Sequence, residues 1–315
     1  MKITVLVPKN EFTKEQQRHL SQLGKMIYVK SREEHSLAKL IGLAKGSEIL
    51  AVDPDVFGGF EKAAAGKLTQ LMENLPKLKA VAMASTSFSW IDLDYCQKRK
   101  IIVTNVPYYS TESVAEHTLA LLICLAKKII LTDRKTQKGE YNLEMGFELK
   151  GKTLGIIGLG NIGSCVAELG NAIGMKVIAY NRTPKKQKNV GMKSLDQVLS
   201  QSDAISINLV HNDKTHHLIS KKQLAKMKKG VIIVNLATRE IVDEKAMAEA
   251  LKSGRVASYA YEGEDLKSSP LSKIETAIGL KGFAWYTKDA LERAMEIWTK
   301  SIISIAKSKP INVVN

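Results

Sequence analysis

Short apolar runs alternate along this chain with longer stretches in which apolar positions return every three or four residues. Continuously apolar runs of that length read as strands buried on both faces, and the stretches between them as amphipathic helices. The alternation occurs twice. Ile3–Val7, Met26–Lys30, Glu48–Val52, Ala80–Ala84 and Ile101–Asn105 form a first set of strand candidates. Leu154–Gly158, Lys176–Tyr180, Ala204–Asn208, Val231–Asn235, Val256–Ala260 and Thr276–Leu280 form a second. Strands and helices in strict alternation predict an α/β protein with doubly wound parallel sheets. A helix over Thr111–Lys138 joins the two sets. A final one, Lys288–Lys307, carries Leu291, Ala294, Met295, Trp298, Ile302 and Ile305 on one face, which reads as packing.

Chemistry enters at GKTLGIIGLGNIG, residues 151–163. An apolar strand runs into Gly158-x-Gly160-x-x-Gly163 and then into a helical stretch beginning at Asn161 and Ile162. In a dinucleotide-binding turn the first glycine permits the tight turn, the second lets backbone approach a pyrophosphate, and the third allows close helix–strand packing. Free N–H groups at the helix start attract the anion. The next strand ends in Asn181-Arg182-Thr183, where an acid would accept hydrogen bonds from the ribose of NAD(H). An amide, a guanidinium and a hydroxyl suit a 2′-phosphate better. NADP(H) is therefore the expected cofactor, with NAD(H) as the alternative.

Composition narrows the partners. Hydrophobic content of 44% and charged content of 25% are globular values, and no apolar run is long enough to span a bilayer. The start, MKITVLVPKN, reads as a first strand rather than a targeting segment, so a cytoplasmic protein is expected. The formal charge of +15 admits anionic partners, yet only eight of the 47 basic residues are arginines and no basic tract interleaves with aromatics. Nucleic acid is accordingly not expected as a partner. Cys96, Cys124 and Cys165 lack paired spacing, which indicates neither a disulfide framework nor a metal site.

Several further segments carry a resemblance. Val106-Pro107 with Ser113-Val-Ala-Glu-His117, Ser202-Asp-Ala-Ile-Ser-Ile, Thr215-x-x-Leu218-Ile219, Met227-Lys-Lys-Gly230, Asn235 and Val242-Asp243-Glu244 join the glycine motif. With them the chain resembles the D-isomer-specific 2-hydroxyacid dehydrogenases. The resemblance implies two Rossmann-like domains with a cleft between them: a discontinuous substrate domain, 1–104 with 288–315, and a dinucleotide-binding domain, 105–287. It also implies a small-molecule substrate, a homodimer, and further cofactor contacts at Val210, Thr215, Ala237, Thr238 and Glu262.

The resemblance falters at the chemistry. The family's carboxylate-binding arginine corresponds to Thr238, with Arg239 one position on, and its proton-donating histidine corresponds to Gly282. No histidine follows His217. Arg239 is the candidate substitute, able to swing inward, its alternative role being a surface or cofactor-proximal charge, and His211, Lys281 and Tyr286 are the candidate proton donors. In the loop where the family has glycines, Ser85, Thr86, Ser87 and Phe88 are candidate substrate contacts, joined by Trp285. The expected function is an NADP(H)-dependent oxidoreductase with a non-standard active site and an atypical carbonyl, hydroxyl or imine substrate. The alternative is an inactive dinucleotide-binding protein acting as a sensor or interaction partner.

Overall fold

The computed structural model describes residues 1–315 apart from the side chain of Glu61. It comprises two compact units, residues 1–109 with 288–315 and residues 110–287. The first break lies after Tyr109 rather than at 104 because the chain beyond the fifth strand remains tied to the first unit. Val106 N donates to Ser85 O at 3.0 Å, Asn105 Nδ2 to Thr86 O at 2.8 Å, and Asn105 N to Asn312 O at 3.1 Å.

In the first unit β1 (Lys2–Pro8), β2 (Lys25–Val29), β3 (Ile49–Val52), β4 (Ala80–Met83) and β5 (Ile102–Thr104) form one parallel sheet in the order β2-β1-β3-β4-β5. β3 and β4 are buried throughout, as their uninterrupted apolar sequences require. The helix Lys288–Ala306 covers one face. Its Trp298 stacks on Phe12 at 5.8 Å and donates Nε1–H to Ala82 O at 3.0 Å, so the buried indole has its partner.

The second unit is built on β6 (Thr153–Ile157), β7 (Lys176–Tyr180), β8 (Val190–Met192), β9 (Ala204–Ile207), β10 (Val231–Asn235), β11 (Val256–Glu262) and β12 (Ala277–Leu280). All pairings are parallel, in the order β12-β11-β10-β9-β6-β7-β8. Chain direction across the sheet reverses between β6 and β9. The carboxyl ends of those two strands therefore border the crevice where open α/β sheets bind ligands. β8 carries no readable signal in the sequence, being three residues with a central glycine at the sheet edge.

The helix expected over Thr111–Lys138 is two helices, Thr111–Ala126 and Ile129–Gln137. Lys128 adopts a left-handed conformation, φ 54°, and the Ala126 carbonyl receives the Phe147 N–H at 2.9 Å instead of continuing the helix. Lysines favour helix, so the break comes from that distant amide rather than from local propensity. Among the described residues no helix is long and apolar enough to cross a membrane.

Candidate functional site

The glycine loop follows β6 directly at the crevice. Gly158 has φ 98°, and a Cβ there would lie 2.3 Å from Asn208 O, at the end of β9. A Cβ on Gly163 would lie 2.0 Å from Gly158 O. Both positions exclude any other residue. Gly160 differs, since a Cβ there meets nothing within 4 Å. Its bareness leaves an open approach at the start of the helix Asn161–Ala172, where the amides of Asn161, Ile162 and Gly163 have no partner within the helix. That open cradle fits a pyrophosphate, and these residues would hold one.

Asn181, expected to face the ribose, instead joins two loops. Its Oδ1 accepts from Leu159 N at 3.0 Å and its Nδ2 donates to Thr183 O at 2.7 Å. Arg182 and Thr183 are exposed beyond it. Lys185 lies across the helix start, donating to Ser164 Oγ at 3.0 Å. The end of β7 thus presents two cations and no carboxylate.

Past β9, Thr215 donates its hydroxyl to Val210 O at 2.8 Å and accepts from Asn212 N at 2.8 Å, which folds the loop on itself and leaves Val210 81% exposed. His211 Nε2 lies 3.1 Å from His216 Nδ1, and His216 stacks on His217 at 4.1 Å. His211, a candidate proton donor, is therefore exposed and paired with another imidazole. Among the described residues no three side chains of His, Cys, Asp or Glu are arranged to hold a metal ion.

Past β10, Asn235 Oδ1 accepts from Ala237 N at 3.1 Å, and its Nδ2 donates to Thr238 O at 3.3 Å and to the Tyr259 hydroxyl at 3.2 Å. This fixes the turn that carries Thr238, whose side chain is exposed. Arg239 does not swing free. Its Nε and Nη2 donate to the two carboxylate oxygens of Glu244 at 2.6 and 2.8 Å, and its Nη1 to Asp265 O at 2.7 Å. The guanidinium lies 5.9 Å from the centre of the Tyr261 ring.

The segment after β12 is clamped from two sides. Glu262 Oε1 accepts from Phe283 N at 3.0 Å and from Ala284 N at 2.9 Å, while Ser113 Oγ donates to Ala284 O at 2.5 Å. Gly282 sits just before this clamp with no conformational need to be glycine: its nearest neighbour to a Cβ is Glu264 Oε1 at 3.7 Å. Lys281 and Tyr286 are exposed, and Trp285 folds back to donate to Gly282 O at 3.2 Å. One turn of helix beyond Ser113 stands His117, a residue that sequence reasoning placed in a motif but gave no role. Its ring meets Phe283 edge-on at 4.9 Å, and Nε2 is buried 3.8 Å from Glu262 Oε1 without a hydrogen-bond partner. Burial lowers the imidazole pKa and raises that of the Glu262 carboxyl. The i, i+4 spacing of Ser113 and His117 was the available signal, because it puts both on one helix face.

In the first unit, the loop after β4 buries Ser85 and leaves Thr86, Ser87, Phe88 and Ser89 exposed. Ser85 Oγ donates to Ser87 O at 2.7 Å and accepts from Trp90 Nε1 at 3.0 Å. Thr86 donates to Val106 O at 2.7 Å, whereas the Ser87 hydroxyl pairs with that of Ser89 at 3.0 Å, and Phe88 is exposed. The hydroxyls of Ser85 and Thr86 therefore hold the loop's shape. Among the described residues the amides of Ser87 and Phe88 meet no backbone acceptor, which leaves them able to meet an anion.

Residues 119–279 match the family model described as D-isomer specific 2-hydroxyacid dehydrogenase, NAD binding domain. A glyoxylate reductase of Thermococcus litoralis is 34% identical over 263 residues, which are 78% of this chain and 80% of that protein. A D-3-phosphoglycerate dehydrogenase of Archaeoglobus fulgidus is 37% identical over 257 residues, 78% of this chain and 49% of the relative. Among solved structures, an acyclic imino acid reductase in complex with NADPH and D-Arg superposes with a TM-score of 0.83 at 26% identity, covering all of both chains. With its glycine loop, strand order and these relatives in agreement, the chain belongs to the D-isomer-specific 2-hydroxyacid dehydrogenase family.

Proposed function

We propose that the protein is an NADP(H)-dependent reductase of this family, working as a homodimer on an atypical carbonyl or imine substrate. The observation that carries the reading is the end of β7, where Asn181 is turned into the loop and Arg182 and Lys185 replace the acid of an NAD site. The relative solved with NADPH supports the same choice. Gly158, Gly160 and Gly163 would cradle the pyrophosphate, with Arg182 on the 2′-phosphate; the bound dinucleotide supplies a hydride. An imine stands beside a carbonyl as substrate because the imino acid reductase matches this chain end to end.

The positions that correspond to the family's arginine and histidine are Thr238 and Gly282, and neither carries a cation or a proton donor of that kind. Ordinary 2-keto acids such as pyruvate, glyoxylate and hydroxypyruvate are then poor substrates, reduced below about 1 per second. The amides of the Ser85–Phe88 loop are left to hold a carboxylate. Arg239, engaged with Glu244, shapes its loop in this reading, while His211, Lys281 and Tyr286 are tested singly as proton sources.

Cofactor fluorescence titration and a screen of keto acids, uncharged carbonyls and imino acids test this on one preparation. The expected result is tighter NADPH than NADH binding, an advantage largely erased by Arg182→Ala, with turnover on part of the panel. Equal affinities would refute the cofactor assignment. Stabilisation by NADPH without turnover of any compound would favour the sensor reading, for which the bare Thr238 and Gly282 positions already speak.

A further inference from the structure

We propose that Glu262 delivers the proton in the reduction and that His117 recharges it. The idea rests on the reductase reading above and deepens it by naming the missing acid. Three observations converge on the pair. His117 Nε2 is buried and lacks any hydrogen-bond partner, an arrangement that costs free energy and calls for a purpose. Its counterpart is the Glu262 carboxylate, 3.8 Å away and within ion-pair distance. Glu262 itself is the last residue of β11, at the carboxyl edge of the sheet, and its Oε1 is fixed by the amides of Phe283 and Ala284. The pair therefore packs against Phe283 and Ala284, the residues that follow Gly282, the position that corresponds to the family's histidine.

The electrostatic surroundings suit proton transfer. Burial acts against the charged form of both groups, and the neighbouring Glu264 raises the Glu262 pKa further. Glu262 is the one acidic partner of His117 within ion-pair distance among the described residues. A carboxyl and an imidazole whose proton affinities are drawn together exchange a proton at little cost. NADPH, when bound, would supply a hydride pair to the substrate carbon, whose C=O or C=N π bond opens to take up a proton at oxygen or nitrogen. The oxygen or nitrogen takes the Glu262 proton. The resulting carboxylate regains a proton from the His117 imidazolium, which draws one from water, so that one hydride and one proton are consumed per turnover.

Glu262→Gln is the decisive variant, because an amide oxygen still accepts from Phe283 N and Ala284 N and preserves the clamp, but has no proton to give. The expected result is a loss in kcat of about a hundred- to ten-thousandfold, with NADPH affinity changed less than about threefold and partial recovery in Glu262→Asp. Independent of activity, an NMR titration of the His117 ring, assigned by comparison with His117→Gln, should show its midpoint falling by half a pH unit or more in Glu262→Gln. Retention of kcat within about threefold would overturn delivery by Glu262. An unchanged His117 midpoint would overturn the pair whatever the turnover. A shifted midpoint in a protein that reduces nothing would sink the reductase reading and, with it, the delivery role.

Discussion

Replacing Arg239 by methionine distinguishes a loop latch from a displaced substrate-binding arginine. The guanidinium makes three charge-assisted hydrogen bonds: two to Glu244, with 22% and 17% of the two side chains exposed, and one to the Asp265 carbonyl. Glu244 would be left with Ser269 Oγ at 2.8 Å as its side-chain partner. Removing one member of a fully buried pair costs about 3–5 kcal/mol, and of an exposed pair about 0–1. The partial exposure puts this one near 2 kcal/mol. Loss of the guanidinium from the Tyr261 ring adds about 0.5 kcal/mol. For a cooperative unit of this size, about 2–3 kcal/mol lowers Tm by roughly 4–10 °C. Denaturant and thermal unfolding of Arg239→Met, Glu244→Gln and the double variant provide the assay, with a coupling of about 1–2 kcal/mol expected from the cycle. Arg239→Lys should recover little, because an ammonium cannot span both carboxylate oxygens. An unchanged Tm, together with a raised KM for acidic substrates alone, would refute the latch and restore Arg239 as a carboxylate ligand.

Two other perturbations test separate parts of the structure. Gly160→Ala should leave stability within about 1 kcal/mol, since its Cβ meets open space, yet weaken dinucleotide binding at least tenfold; Gly163→Ala should cost stability as well, because its Cβ would strike Gly158 O at 2.0 Å. Equal effects on unfolding and on fluorescence titration would contradict that division. At Asp53, burial outweighs Arg32, 2.8 Å away, and pushes the carboxyl pKa from 3.8 to about 6. A pKa raised on folding means that the native state binds this proton more tightly, so its contribution is complete below about pH 4 and is lost as pH rises through 6. The stability of Asp53→Asn relative to the parent should therefore climb by about 2–3 kcal/mol between pH 4 and 7 and then level off. A flat difference across that range would show that Arg32 compensates the buried charge fully.

What could be read in advance follows from the range of each interaction. Strands such as Ile49–Val52 and Ala80–Met83 declare themselves because both faces are buried and every residue contributes to the signal. The glycine loop is equally legible, since the left-handed turn at Gly158 is local and the requirement at Gly163 is set by the backbone of Gly158, although Gly158 is also closed off by Asn208 O from a distant strand. Side-chain roles were less accessible. Arg239 was free to swing only as long as Glu244 and Asp265 were out of view, and Asp265 is brought beside it by the turn after β11. His117 lies far from Gly282 in sequence, and its helix meets that segment through the Ser113–Ala284 hydrogen bond and the contact of the His117 and Phe283 rings.

Gly282 differs from the glycines of the dinucleotide loop. Gly158 and Gly163 are compelled by contacts shorter than any real Cβ tolerates. Gly282 is under no such pressure: its φ lies outside the left-handed region and the nearest atom to a Cβ is the mobile end of Glu264, at 3.7 Å. Packing therefore accounts for the first two glycines and leaves the third unexplained by structure. A side chain there would extend from the backbone segment whose amides Glu262 holds, toward the side where Glu264 already stands. Against that segment lie Glu262, which accepts from Phe283 N and Ala284 N, and the buried His117, whose ring meets Phe283 edge-on and whose Nε2 stands 3.8 Å from Glu262 Oε1, so a titratable pair flanks the one glycine that packing does not require.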